Sequence, residues 1–209
     1  MVASLAKAAT LNRLNTIYIV AGLIVLLLLP VTVVADATSS DDPQALVKNT
    51  SERMLSVLRE QREQLKKNPE LIYGLVDDIV IPHFDFTRMS RWVLGKYWRQ
   101  ATPEQRKRFA NEFRTLLVKT YATSLLEFID DEFKYPPLRM KPGAKKVTVR
   151  TDVIRSGAAP VRIEYRLFKG KDGWKAYDVL VEGISLVANY RSSFAEEIRQ
   201  GGLDKLIAR

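Results

Sequence analysis

The stretch Trp174–Phe194, WKAYDVLVEGISLVANYRSSF, decides how this chain is read. Lys171-Asp172-Gly173 just before it is a tight-turn signal, so the stretch opens as a strand, and Gly183 breaks that strand. Taking every second residue puts Tyr177, Val179 and Val181 on one side and Trp174, Ala176 and Leu180 on the other. A strand with one wet face alternates apolar with polar residues, and this one does not. Something has to cover apolar surface on both of its faces.

Working outward, two more strands precede it. Val147, Val149 and Val153 alternate with Thr148, Arg150 and Asp152. Beyond a Ser156-Gly157 turn, Val161, Ile163, Tyr165 and Leu167 alternate with Arg162, Glu164 and Arg166. Three strands joined by short turns make an antiparallel meander. Earlier still, the period is helical. Asp42-Pro43 starts a helix that runs to about Lys67, Asn68-Pro69 separates it from a second over Glu70 to about Ile81, and Asp85 caps a third through Tyr97. Thr102-Pro103-Glu104-Gln105 has the form of a capping box. The helix behind it carries Phe109, Phe113, Leu116, Leu117, Tyr121, Leu125, Phe128 and Ile129 on one side. After Gly183 a helix runs to about Arg199, and Gly201-Gly202 leads into a short terminal one. Helices first and strands second is an α+β order.

The N-terminus reads differently. Lys7 and Arg13 form a positive region, Ile17 to Leu29 is apolar, and Val33 to Ala37 supplies small residues where a signal peptidase cuts. The expectation is a signal peptide over 1–37, cleaved after Ala37, and one domain over 38–209; the rival is an uncleaved membrane anchor. Removing Lys7, Arg13 and Asp36 changes the net charge from the +9 of the full chain by one unit. Export argues against a nucleic-acid partner, and the basic residues are spread along the chain, as on a solvated surface. With no cysteine, thiol chemistry and thiolate metal sites are excluded; with a single histidine, an imidazole-rich zinc site is not expected, nor any other metal or cofactor.

No catalytic motif stands out. His83 lies two residues from Asp85, and a histidine–carboxylate pair is the form of a general base. Tyr177-Asp178 resembles an acid–base pair, but neighbouring strand residues face opposite ways unless a bulge intervenes, so Asp178 is read as structural. The positive observation is apolar. Trp92, Val93 and Tyr97 of the third helix, Phe109, Phe113, Leu117 and Tyr121 of the long helix, and Val149, Ile163, Tyr165, Tyr177, Val179 and Val181 of the meander could meet, with Ile184, Leu186 and Val187 following beyond Gly183 in the opening stretch. Periodicity alone does not separate an ordinary core from the wall of an apolar cavity.

Two blocks then carry a resemblance. Val93-Leu94-Gly95-Lys96-Tyr97-Trp98-Arg99-Gln100-Ala101-Thr102-Pro103-Glu104-Gln105-Arg106, followed by Phe109, Phe113, Leu117 and Tyr121, is similar to the central signature of the toluene-tolerance/MlaC family. Trp174, Tyr177-Asp178-Val179, Glu182-Gly183-Ile184-Ser185-Leu186-Val187, Asn189-Tyr190-Arg191-Ser192 and Phe194 resemble its second. The resemblance implies a soluble, monomeric periplasmic protein with no enzymatic activity. It implies a phospholipid as ligand, carried between an outer-membrane lipoprotein–porin complex and an inner-membrane ABC transporter complex that together keep the outer membrane's lipids asymmetric. It also implies N-terminal helices packed on a curved antiparallel β-meander, in a cone-shaped, nuclear-transport-factor-like fold that encloses an apolar pocket.

The physics of such a cargo is demanding. Two acyl chains hold about 30 methylenes, and exposing them to water costs on the order of 20–25 kcal/mol. A carrier therefore needs more apolar wall than its fold needs core. On that reading one face of the Trp174–Val181 strand completes a packed layer and the other lines the lipid pocket, with Tyr177, Val179 and Val181 aligned to the helix aromatics. The alternatives are an enzyme of the same cone-shaped architecture using His83 or Asp178, and a membrane-anchored interaction protein.

Overall fold

Capping residues set where the principal helices begin in residues 42–209, the part of the chain described by this computed structural model. The expected signal peptide, 1–37, lies outside the described residues. Helix α1 (Pro43–Glu60) starts at Asp42, whose Oδ1 accepts the N–H of Gln44 at 2.8 Å and of Ala45 at 3.2 Å. Helices α2 (Arg62–Lys67) and α3 (Leu71–Ile79) and a 3-10 turn (Ile81–His83) follow, so the first expected helix is interrupted at Gln61. Asp85 caps α4 (Phe86–Leu94), and Gly95, at φ 55°, breaks the chain before the short α5 (Lys96–Gln100).

Helix α6 (Pro103–Tyr121) has the capping box in full: Thr102 Oγ1 accepts from Gln105 N at 3.1 Å and Gln105 Oε1 from Thr102 N at 2.9 Å. It ends earlier than the sequence predicts. From Thr123 to Phe128 the backbone tightens into a 3-10 turn. Threonine, serine and tyrosine around positions 120–124 are weak helix formers, which is the physical reason the apolar stripe outlasts the helix.

The sheet is antiparallel in the order β1-β2-β3-β4-β5: β1 (Glu132–Lys134), β2 (Lys146–Ile154), β3 (Val161–Gly170), β4 (Gly173–Val181) and β5 (Ile184–Ser185). The expected meander is β2-β3-β4, and the α+β class is as expected. Helix α7 (Leu186–Ile207), kinked at Gly202, closes the chain. Among the described residues no helix is long and apolar enough to cross a membrane.

The opening stretch is resolved by one extra residue. Tyr165 pairs with Val179 and Arg166 with Asp178, but Leu167 pairs with Ala176, so Tyr177 is a bulge on β4. Strict alternation fails there. Val179, Val181 and Ala176 share a face with their partners Tyr165, Ile163 and Leu167. Tyr177 instead stacks on Trp92 of α4, ring centroids 6.5 Å apart, and does not group with Val179 and Val181 as the sequence reading expects. Both faces of β4 are covered: Val47 of α1 packs with Trp174 and Ala176 on one, and α4 and α7 lie against the other.

Asp178 ties these layers together. It is 3% exposed, yet its carboxylate accepts from Ser185 Oγ at 2.7 Å, Arg166 Nη1 at 3.1 Å and Val187 N at 3.2 Å. Ser185 Oγ in turn accepts from Ala188 N at 3.0 Å. The start of α7 is thereby fastened to β3 and β4 by a satisfied buried charge.

Candidate functional site

The described residues form two kinds of apolar interior. Between α4, α6 and α7 lies a filled core of Met89, Val93, Phe109, Phe113, Val187 and Phe194. Its rings interlock: Phe109–Phe113 at 5.7 Å, Phe113–Tyr190 at 5.3 Å edge-on and Phe109–Phe194 at 5.9 Å edge-on. Between α1 and the sheet the packing is incomplete, and a cavity of about 160 Å³ remains.

The cavity is built from four directions. Helix α1 turns Leu46, Val47, Thr50, Ser51, Met54, Leu55 and Leu58 toward it. Val80, His83 and Phe84 close one side, and Leu125 and Phe128 of the 3-10 turn, with Phe133 of β1, close another. Ile163, Tyr165, Leu167 and Ala176 form the sheet wall. The early end of α6 matters here, because the tightened turn is what brings Leu125 and Phe128 to this wall.

The lining contains no Asp, Glu, Lys or Arg. Its titratable groups are held neutral. Burial, reinforced by Lys175 and Arg53, lowers the pKa of His83 below its ordinary value. Loss of solvent pushes the Tyr165 hydroxyl up to about 12, with Tyr135 adding to the effect. Tyr135, next to the cavity, is raised for the same main reason, with a hydrogen bond to Ser51 acting the other way. Asp85, the proposed partner of His83 in a catalytic pair, has both carboxylate oxygens on Arg88: Oδ1 accepts its N–H at 2.8 Å and Oδ2 its Nε at 3.2 Å. A neutral, apolar hollow of this kind accommodates hydrocarbon and offers no place to a charge.

Of the residues expected to line a lipid pocket, Ile163 and Tyr165 stand on the cavity. Val149 is paired with Tyr165 across the strands and packs beside Leu167 and Ala176. Val179 and Val181 share that sheet face toward its more open end. The others lie elsewhere. Val93, Phe109, Phe113, Leu117 and Val187 belong to the filled core, with Tyr97 and Tyr177 packed against it. Trp92 is 48% exposed on α4, Tyr121 is exposed at the end of α6, Leu186 is half-buried, and Ile184 is 66% exposed on β5. Phe109 and Phe113 also line a groove of about 410 Å³ between α6 and α7, together with Glu112, Lys119, Glu197 and Arg209. The α1 residues were missed because their stripe reads as ordinary core. The usable signal was Thr50-Ser51, two small polar residues beside an otherwise apolar helical face.

Comparison with known proteins places this geometry. The model of the MlaC protein family matches residues 48–209. The chain belongs to the MlaC family. Within it, the toluene tolerance protein ttg2D of Pseudomonas putida is 33% identical over 190 residues, spanning 89% of this chain and 86% of that relative. The intermembrane phospholipid transport system binding protein MlaC of Haemophilus influenzae is 23% identical over 176 residues, spanning 83% and 82%. Among solved structures, a phospholipid-binding protein from Ralstonia solanacearum, determined in complex with a phospholipid, superposes with a TM-score of 0.74 at 33% identity, covering 80% of this chain and 93% of that one.

Proposed function

We propose that this MlaC-family chain is a periplasmic phospholipid carrier that holds acyl tails in the cavity between α1 and the sheet. It is exported behind a signal peptide cleaved after Ala37. It then shuttles phospholipid between an outer-membrane lipoprotein–porin complex and an inner-membrane ABC transporter complex, without a catalytic step. The observation that carries this reading is the cavity wall, which is apolar and uncharged and lies on the sheet face opposite the one against α4 and α7. The likeness to a protein solved with a phospholipid supports it.

Size adds a requirement. Ligand pockets for molecules of moderate size run to ~300–1,000 Å³, and a void of ~150 Å³ holds a guest the size of benzene. At about 160 Å³ the cavity is a starting point for a tail, not a finished container. Loading on this reading moves α1 away from the sheet, and the tails replace the side-chain contacts that α1 gives up. The exchange is balanced because hydrocarbon leaves one apolar environment for another.

Native mass spectrometry and organic extraction of the exported protein test the proposal. Near-stoichiometric phospholipid is expected, with the mature N-terminus at Thr38. A protein exported in folded form and free of lipid, whichever membrane complex it is mixed with, contradicts it.

A further inference from the structure

The two segments that carry the family resemblance meet at a place the cavity does not use. Gly95, Lys96, Trp98 and Arg99 come from the first and Arg191 from the second. With Arg88, Arg91 and Trp92 of α4 they surround a groove of about 730 Å³. Gly95 permits the junction: its φ is 55°, and a Cβ there would come within 3.2 Å of Arg191 Nη2. The only carboxylate on the groove is Asp85, already bound to Arg88. Among the described residues Arg91, Lys96, Arg99 and Arg191 have no carboxylate partner. Like charges gathered at one concavity repel one another, and an anion seated there relieves the repulsion.

We infer that this groove docks the protein on an anionic phospholipid surface, seating headgroup phosphates between Arg91, Lys96, Arg99 and Arg191 with Trp92 entering the headgroup layer. Guanidinium forks match phosphate oxygens, and a groove of about 730 Å³ has room for a headgroup. An exposed tryptophan ringed by cations has the composition of a surface that settles at a lipid interface. The site stands apart from the cavity and shares no lining residue with it, so it does not depend on the cargo assignment.

The test compares the full chain, as its host processes it, on vesicles of phosphatidylcholine alone and of phosphatidylcholine mixed with phosphatidylglycerol. The readouts are co-sedimentation and tryptophan emission. The preference for the mixed vesicles isolates the charge effect from any contribution of the apolar N-terminal stretch. Each cation near an anionic surface adds about fivefold in affinity. The expected result is a preference of well over tenfold that weakens with ionic strength, with tryptophan emission shifted to the blue. Arg91→Glu with Arg191→Glu, and separately Lys96→Glu with Arg99→Glu, should each remove most of that preference while circular dichroism and lipid content stay at the parental level. The second pair consists of two exposed residues of α5, which guards against a folding defect in the first. A parental chain that shows no preference overturns the inference, as do two folded double variants that keep it. Indifference to the vesicles, combined with capture of a polyglutamate peptide that both double variants release, overturns it in favour of an acidic protein segment.

Discussion

The space between α4, α6 and α7 and the space between α1 and the sheet are both walled by valine, methionine and phenylalanine, yet only the first is filled. In the first, rings on helices meet edge to face, and Phe113 is 2% exposed. In the second, a helix bearing Thr50 and Ser51 faces a sheet whose central residues include Ala176. Small side chains in a wall leave space where large ones would interlock. The difference teaches that apolar composition does not decide between core and container; the size of the facing side chains does.

The comparison can be broken by truncating one large residue in each region. Phe113→Ala opens a new void in the filled core and should cost about 3–5 kcal/mol, read by denaturant unfolding. Met54→Ala enlarges a void that already exists, so its cost should fall at the bottom of the large-to-small range, about 2 kcal/mol. Equal losses would show that both regions are packed alike.

A smaller effect sharpens the electrostatic side of the contrast. The Tyr165 hydroxyl, raised to about 12, stays protonated in the fold after the unfolded chain begins to ionise at its ordinary value. Stability is therefore fully present below about pH 10 and is lost as pH rises toward 12. Tyr165→Phe should cost about 1 kcal/mol at neutral pH, through the hydrogen bond with Ser51 that it removes, and reduce the alkaline loss, measured by unfolding across that range. A smaller residual loss is expected from Tyr121, which partial desolvation and Tyr190 raise to about 12 but whose 38% exposure lets solvent screen the effect. An alkaline limb unchanged in Tyr165→Phe would place that hydroxyl in water.

Much of this was legible in the sequence. Thr102-Pro103-Glu104-Gln105 and Asp42-Pro43 mark true helix starts because capping is local chemistry. The β2-β3-β4 meander follows from alternation and two glycine turns. The Tyr177 bulge was not legible, since an inserted residue leaves no mark in a run that is apolar at every second position on both sides. That one residue decides which side chains of β4 join Tyr165 and which join Trp92. The cavity was not legible either: Leu46, Met54 and Leu58 on α1 have the periodicity of core, and whether a wall is met by another side chain or by space depends on the opposing element.

The central claim is that acyl tails lie between α1 and the sheet, and not among the helix aromatics or along β5. Counting phospholipid per chain by native mass spectrometry in Ile163→Glu beside Ile184→Glu tests it most directly, with circular dichroism establishing that both variants fold. A charge at Ile163 enters the neutral cavity wall, and that variant should carry no lipid. A charge at Ile184, 66% exposed, stays in water, and that variant should carry the parental amount. Full lipid in a folded Ile163→Glu protein, or its loss from Ile184→Glu alone, would contradict the account.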